Sequence, residues 1–277
     1  MTAVLPSQKS ASGKGLGMQV AVVGGTGTLG RPVVRELAAR GHTVRVLSRT
    51  APAEPVPGAT HHAVDLVTGA GLDEALEGVH TVVNAASHRG LRSGKVLVAG
   101  VRALLAAEQR ARAGHHVDIS IVGCERVPFS YYRTKTAQER VVTQGQIPWT
   151  LLRATQFHEL IDETLAAAAK ARLEPHGGLR FQPVDVNAVA AKLADAVEAG
   201  PSGRVPDVGG PAVHTLTELA RARRAVVGES LLALPIPPLG RVARRVRGAA
   251  LCLGDDGEAV SFDYPEWLRR RYPKPGR

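Results

Sequence analysis

The 277-residue chain reads as an α/β protein built on a doubly wound parallel sheet. Three observations predict this. Short β-branched runs without regular polar alternation recur along the first 150 residues, the mark of strands buried on both faces. Between them lie segments with apolar residues at helical spacing. The first strand also runs into a cluster of glycines just before the first helix. Strands and helices in alternation imply βαβ units and hence a parallel sheet.

Residues 18–24 (MQVAVVG) form the first strand, and the helix over 28–40 stops at Gly41. Residues 43–47 are the second strand and 60–64 a weak third, followed by a short helix over 72–77. The fourth strand is 81–85 (TVVNA), the long Ala-rich helix 95–113, and the fifth strand 116–122 (HVDISIV). A helix over 130–144 takes Ser130 as its N-cap. Residues 150–153 give the sixth strand, 157–172 and 186–199 two further helices, and 204–208 a late strand. From 215 the chain turns helical and basic, broken at 234–238 (LPIPP). No internal repeat or long linker interrupts it.

The expected division has three parts. Residues 1–17, small, polar and Gly/Ser/Lys-containing, read as a disordered lead-in; Met18 offers an alternative start. Residues 18–211 form the sheet domain. Residues 212–277, with a contribution from 156–180, make a small, mainly helical substrate region over the carboxyl edge of the sheet.

Composition narrows the function classes. Hydrophobic residues at 44% and charged residues at 22% fit an ordinary soluble globular protein. No apolar run reaches the roughly 20 residues of a spanning helix, so no membrane partner is expected. The N-terminus lacks the apolar core of a secretory signal. Cys124 and Cys252 stand alone, without zinc-ligand spacing, so no metal is expected and a reducing cytoplasm is. The net charge of +10 comes from 28 Arg and 7 Lys against 25 acidic residues. The densest basic stretches, 221–224, 241–247 and 269–271, lack interleaved aromatics for base stacking. They read as solvated helix faces, with no specific nucleic acid as partner.

The strongest motif is Gly24-Gly25-Thr26-Gly27-Thr28-Leu29-Gly30, with glycines at GxxGxxG spacing between a strand and a helix. Such a loop turns tightly, lets a pyrophosphate approach the backbone, and aims a helix N-terminus at it. Dinucleotide binding follows. After the second strand an acidic residue would hold a ribose 2′-hydroxyl; here Ser48 and Arg49 stand instead, suited to the 2′-phosphate of NADP. Asp65 and Leu66 follow the third strand where adenine would lie, and Asn84, Ala85 and Ala86 end the fourth beside the ribose. A purely structural strand-end role is the alternative for each.

Tyr131 stands four residues before Lys135 on one helix face. A nearby ammonium lowers a phenol's pKa, so Tyr131 can donate a proton to a carbonyl oxygen during hydride transfer, while Lys135 can also hold the nicotinamide ribose. Ser120 is the nearby hydroxyl that could polarise the carbonyl, and Tyr132, off that face, is the weaker candidate.

These residues together resemble the short-chain dehydrogenase/reductase superfamily, most closely its atypical NmrA-like branch of NADPH-dependent quinone and triphenylmethane reductases. The resemblance runs from about 18 to 219. It rests on VVGGTGTLGRPVVREL, Arg49, SIVGCERVPFSYYRTKTAQE, TLLRATQFHE, PVDVNAVAAKLADAVEAGP and Gly209-Gly210-Pro211. It implies a Rossmann sheet, cofactor contacts from the glycine loop, Arg49, Asp65, Ala85 and Lys135, and Thr155 and Gln156 near the nicotinamide. The expected function is an NADP(H)-dependent oxidoreductase, a monomer or homodimer, reducing a quinone, ketone or similar small apolar acceptor. The alternatives are a non-catalytic NADP-binding sensor, as some members of this branch are, and a nucleotide-sugar epimerase. The latter needs a second anion site that no motif supplies.

Overall fold

A computed structural model describes residues 17–87, 94–237 and 239–273. Most of the expected lead-in, residues 1–16, lies outside them. The main sheet is entirely parallel. Its first half contains β1 (Gln19–Val23), β2 (Thr43–Ser48), β3 (Ala59–Ala63) and β4 (Thr81–Asn84). Its second half contains β5 (His115–Ile121), β6 (Trp149–Ala154) and later two-residue strands. The spatial order begins β3-β2-β1-β4-β5-β6. The chain therefore leaves β1 in one direction and returns to β4 in the other. That reversal opens a crevice at the carboxyl ends of β1 and β4, where ligands bind in such sheets.

Alternate strand residues feed two layers. Val20, Val22, Val44 and Val46 pack against α1 (Gly30–Ala39) and α6 (Val186–Ala199). Ala21, Val23, Leu47 and Val82 pack against α2 (Leu72–Leu76) and α3 (Gly100–Ala111). On that second side α4 (Ser130–Thr143) crosses β5.

The remaining chain forms a cap. It holds α5 (His158–Lys170), α7 (Leu216–Val227), α8 (Gly240–Arg247) and α9 (Tyr264–Arg271). It also holds two small two-stranded sheets. One pairs β7 (Leu173–His176) with β12 (Leu232–Pro235), the other β8 (Arg180–Phe181) with β11 (His214–Thr215). Ile161, Leu165, Leu219, Tyr264, Trp267 and Leu268 make its core. The chain then returns to the main sheet. There β13 (Glu258–Ala259) pairs with β10 (Val208–Gly209), which pairs with β6. No helix among the described residues is long and apolar enough to cross a membrane.

Three local expectations change. The long Ala-rich helix opens with a π-helical turn over Lys95–Ala99, after which Gly100 sits against Leu66 so closely that a Cβ would lie 3.1 Å away. Ser130 is not the cap of α4: Phe129 holds the extended cap position, no side chain caps it, and Ser130 is already helical. The late strand divides into β9 (Gly203–Arg204) and β10, because Pro206 between them has no N–H to donate.

Two buried histidines contribute to the pH dependence of the fold in acid. His115, at the start of β5, and His158, stacked among Phe262, Tyr264 and Trp267, are both held neutral chiefly by burial, at pKa values of about 4. The unfolded chain takes up those protons near the ordinary value of about 6.5, so it gains protons on acidification before the fold does. Stability contributed by the two neutral rings is present above pH 6.5 and is lost as pH falls toward 4. Urea midpoints measured from pH 7 to 4 should decline through that window, and His158→Phe should flatten part of the decline.

Candidate functional site

The glycine loop is shaped by close backbone approach. Gly24 has φ +71°, its N–H donates to the Leu47 carbonyl at 2.8 Å, and a Cβ there would lie 2.8 Å from Ala86 Cα. A Cβ on Gly30 would lie 2.1 Å from the Gly24 carbonyl oxygen. The loop is thus compressed between β4 and the start of α1, and side chains are excluded where a ligand must touch the backbone. Leu29 precedes α1 and no side chain caps that helix. The Gly27 and Arg31 N–H groups donate to the Gly24 and Gly27 carbonyls; the remaining N–H groups of such a helix start and its positive dipole end make a donor set suited to a pyrophosphate. Thr26 is half-buried and its carbonyl accepts from Arg31 Nε at 2.8 Å; Gly27 and Thr28 are exposed.

At the end of β2 the Arg49 guanidinium is exposed and has no partner among the described residues. Ser48 is less free. Its hydroxyl donates to the Thr50 carbonyl at 2.7 Å and lies 3.1 Å from His61 Nε2. Beside them opens a cleft of about 360 Å³, lined by Arg31, Arg35 and His61 with Val34, Val46 and the 51–56 loop. The basic residues of this cleft were not singled out from the sequence. The signal was faint: His61 stands on the third strand in register with Val46, on the side facing α1.

Other candidates are committed within the protein. Asp65 Oδ1 accepts from Val67 N–H at 2.8 Å, closing a turn just past β3, and Leu66 is buried against Gly100. Asn84 is fully buried and donates to Asp118 Oδ1 at 2.7 Å, while Ala85 and Ala86 line the approach to Gly24. The Thr155 hydroxyl donates to the Gln182 carbonyl. Gln156 donates from Nε2 to the Leu251 carbonyl at 3.0 Å and accepts the Gln182 N–H at its Oε1. Both side chains tie the end of β6 to Gln182 just past β8, and Gln156 also reaches the segment after α8, which presses its Ala250 carbonyl against Gly123 at the end of β5.

Tyr131 and Lys135 share the face of α4 but have different partners. The Tyr131 hydroxyl lies 3.1 Å from Ser87 Oγ, just past β4. Lys135 is 4% exposed; its Nζ donates to the Ile119 carbonyl at 2.8 Å and to Gln138 Oε1 at 2.9 Å, and burial draws its pKa down. An ammonium has three donors, so one is left for a ligand. Tyr132 packs into the cluster of Val127, Val246 and Leu251, and burial pushes its phenol up to about 12. Ser120 faces the α4 side of β5; its buried hydroxyl has no partner among the described residues.

A chain of buried polar groups runs under this face, and the sequence reading passed over it. Glu108 contacts His116 Nδ1 at 2.8 Å, and His116 Nε2 lies 3.8 Å from Asp118 Oδ1. Asp118 accepts from Asn84 and, at 2.9 Å, from Gln138 Nε2, whose other end receives Lys135. The signal was the polar alternation His116, Asp118, Ser120 within a strand otherwise buried.

Comparison with known proteins agrees with this geometry. Over 147 residues the chain is 33% identical to the photosystem II assembly factor Ycf39 of Synechocystis, covering 50% of this chain and 45% of that protein. The chain therefore spans about half the length of that relative. An NADPH-dependent quinone oxidoreductase from Escherichia coli, solved with NADPH, superimposes with a TM-score of 0.73 at 19% identity, covering 91% of this chain and 99% of that one. The triphenylmethane reductase of Citrobacter gives 0.74 at 17% identity, with 93% and 100% covered. At those identities the two structures establish the Rossmann fold. The family model described as NAD(P)H-binding matches residues 24–198, well over half of the sequence, and the chain belongs to that family.

Proposed function

We propose that the protein is an NADP(H)-dependent oxidoreductase that reduces a quinone, ketone or similar small apolar acceptor. The observation that carries this reading is Arg49, exposed at the end of β2 and without a partner among the described residues. A guanidinium in that position suits a phosphate dianion, and no acidic side chain follows β2 before Glu54, which lines the cleft, to favour a free ribose hydroxyl. The glycine loop would hold the pyrophosphate through backbone N–H groups, and Ala85 and Ala86 would leave room for the ribose. A bound nicotinamide supplies the hydride. Lys135 would direct its third N–H to the ribose, and Tyr131, steadied by Ser87, would hold the proton destined for the acceptor oxygen. The fold neighbours that reduce quinones and triphenylmethane dyes suit an apolar acceptor.

Arg49→Ala removes one charge-assisted contact, worth about 1.5–3 kcal/mol. NADPH affinity should fall roughly ten- to a hundredfold while NADH affinity holds. Isothermal titration of both cofactors on parent and variant checks this; equal affinity for NADH and NADPH in the parent would remove the argument for NADP.

A non-catalytic NADP-binding regulator is the second reading. It is favoured by the Ala250–Leu253 segment lying against the ends of β5 and β6. NADPH consumption across a panel of quinones and ketones separates the two readings.

A further inference from the structure

Lys135 sits among more charges than its own helix supplies. Asp118 faces it from β5, Cys124 from the following turn and Glu139 from α4 itself; behind these lie the Glu108–His116 pair, in contact with Asp118, and Arg153, in contact with Glu139. These charges sort into pairs. Glu139 receives a two-pronged contact from Arg153, at 2.8 Å from Nε and 2.6 Å from Nη2, so its charge is matched. The Cys124 thiol is pushed up by burial and stays neutral. Burial works against both members of the Glu108–His116 pair, but two carboxylates around one imidazole decide it and push His116 up to about 10. Asp118, one of those two carboxylates, is also joined to the Lys135 ammonium, by a single amide. Gln138 is fully buried, with its NH₂ 2.9 Å from both Asp118 oxygens and its carbonyl 2.9 Å from Lys135 Nζ. Its dipole is aligned to pass the negative charge along.

We propose that Asp118, acting through Gln138, is the counter-charge that keeps the buried Lys135 protonated, with one N–H left over from its two protein contacts. Asp118 is a positioning residue: it is fully buried and its oxygens are held by Asn84 and Gln138. Its effect on cofactor binding rests on the NADP(H) reading, whereas its effect on the charge of Lys135 does not. Without Asp118 the ammonium still has burial against it and loses the largest of the charges that oppose burial, so its proton is released at lower pH. If the cationic form binds cofactor, affinity then falls roughly tenfold per pH unit above the lowered pKa.

The first measurement needs no cofactor. The chain has only seven lysines, so ¹³Cε-lysine labelling gives a short spectrum, and Lys135→Met assigns the peak. In the free protein, Asp118→Asn should move the Lys135 titration down by at least a pH unit. Asp118→Asn combined with Gln138→Glu, which places the carboxylate directly on Nζ, should restore it. NADPH titrations from pH 6 to 9 should follow: little change in the parent, a falling affinity in Asp118→Asn, recovery in the double variant. If Asp118→Asn does not fold, Gln138→Met keeps both charges, removes the dipole between them, and should shift the midpoint in the same direction. An unmoved Lys135 midpoint in every folded variant overturns the proposal. A moved midpoint with no NADPH binding in the parent leaves the counter-charge in place and sinks the NADP(H) reading instead.

Discussion

Replacing Arg153 by methionine is expected to cost about 3–5 kcal/mol of stability, the range for a buried ion pair broken from one side. Arg153 leaves β6 and is 6% exposed; it holds Glu139 on α4 through two parallel N–H···O bonds and reaches Glu125 with its remaining nitrogen at 2.9 Å. Glu125 is partly exposed and can turn to water, so its loss costs little. Glu139 cannot. Without Arg153 its carboxylate is left in the protein with only the weak Cys124 thiol contact at 3.6 Å. The double variant Arg153→Met/Glu139→Leu removes both charges at similar volume and should recover most of the loss, since a buried pair contributes little over well-packed apolar side chains. Urea unfolding of the four proteins in the cycle measures it. If Arg153→Met costs under about 1 kcal/mol, the pair is not the anchor of α4 on β6. The prediction has a functional edge, because α4 is the helix that presents Tyr131 and Lys135.

The contrast between Arg153 and Arg49 shows what the sequence could and could not disclose. Strands β1, β2, β4, β5 and β6 were legible because a strand buried on both faces must be apolar and β-branched. The glycine loop was legible because GxxGxxG between strand and helix has few other uses. Arg49 could be placed because it follows a strand directly. Arg153, by contrast, sits inside a strand whose other residues look apolar. Nothing in TLLRAT says that its partner arrives from a helix 14 residues earlier. The partner of Asn84 was hidden for the same reason. At the end of β4 Asn84 has the right chemistry for a ribose, but its side chain points to β5, where Asp118 takes it. The π turn before α3 and the division of the late strand into β9 and β10 depend on what each segment packs against, and local propensity does not carry that information. The cap was least legible, since four of its strands are only two to four residues long.

Tyr131→Phe is expected to lower turnover by roughly 10²–10⁴ while leaving NADPH affinity near the parent value, because the ring keeps its packing and only the proton donor is lost. The geometry adds a second expectation. The phenol is held by Ser87 and not by Lys135, so Ser87→Ala should lower turnover by a smaller factor and raise its dependence on general-acid buffers, as the phenol loses its orientation. Tyr132→Phe is the internal control: its phenol is buried in the cap and pushed out of the useful range, so the hydroxyl's removal should leave turnover unchanged. Lys135→Ala should damage cofactor affinity and turnover together, since one ammonium serves both. The experiment needs an acceptor found by following NADPH oxidation over quinones and ketones. If Tyr131→Phe turns over like the parent on that acceptor, Tyr131 is not the acid. A quinone would then draw its proton from water, and the role of α4 would reduce to holding the cofactor through Lys135.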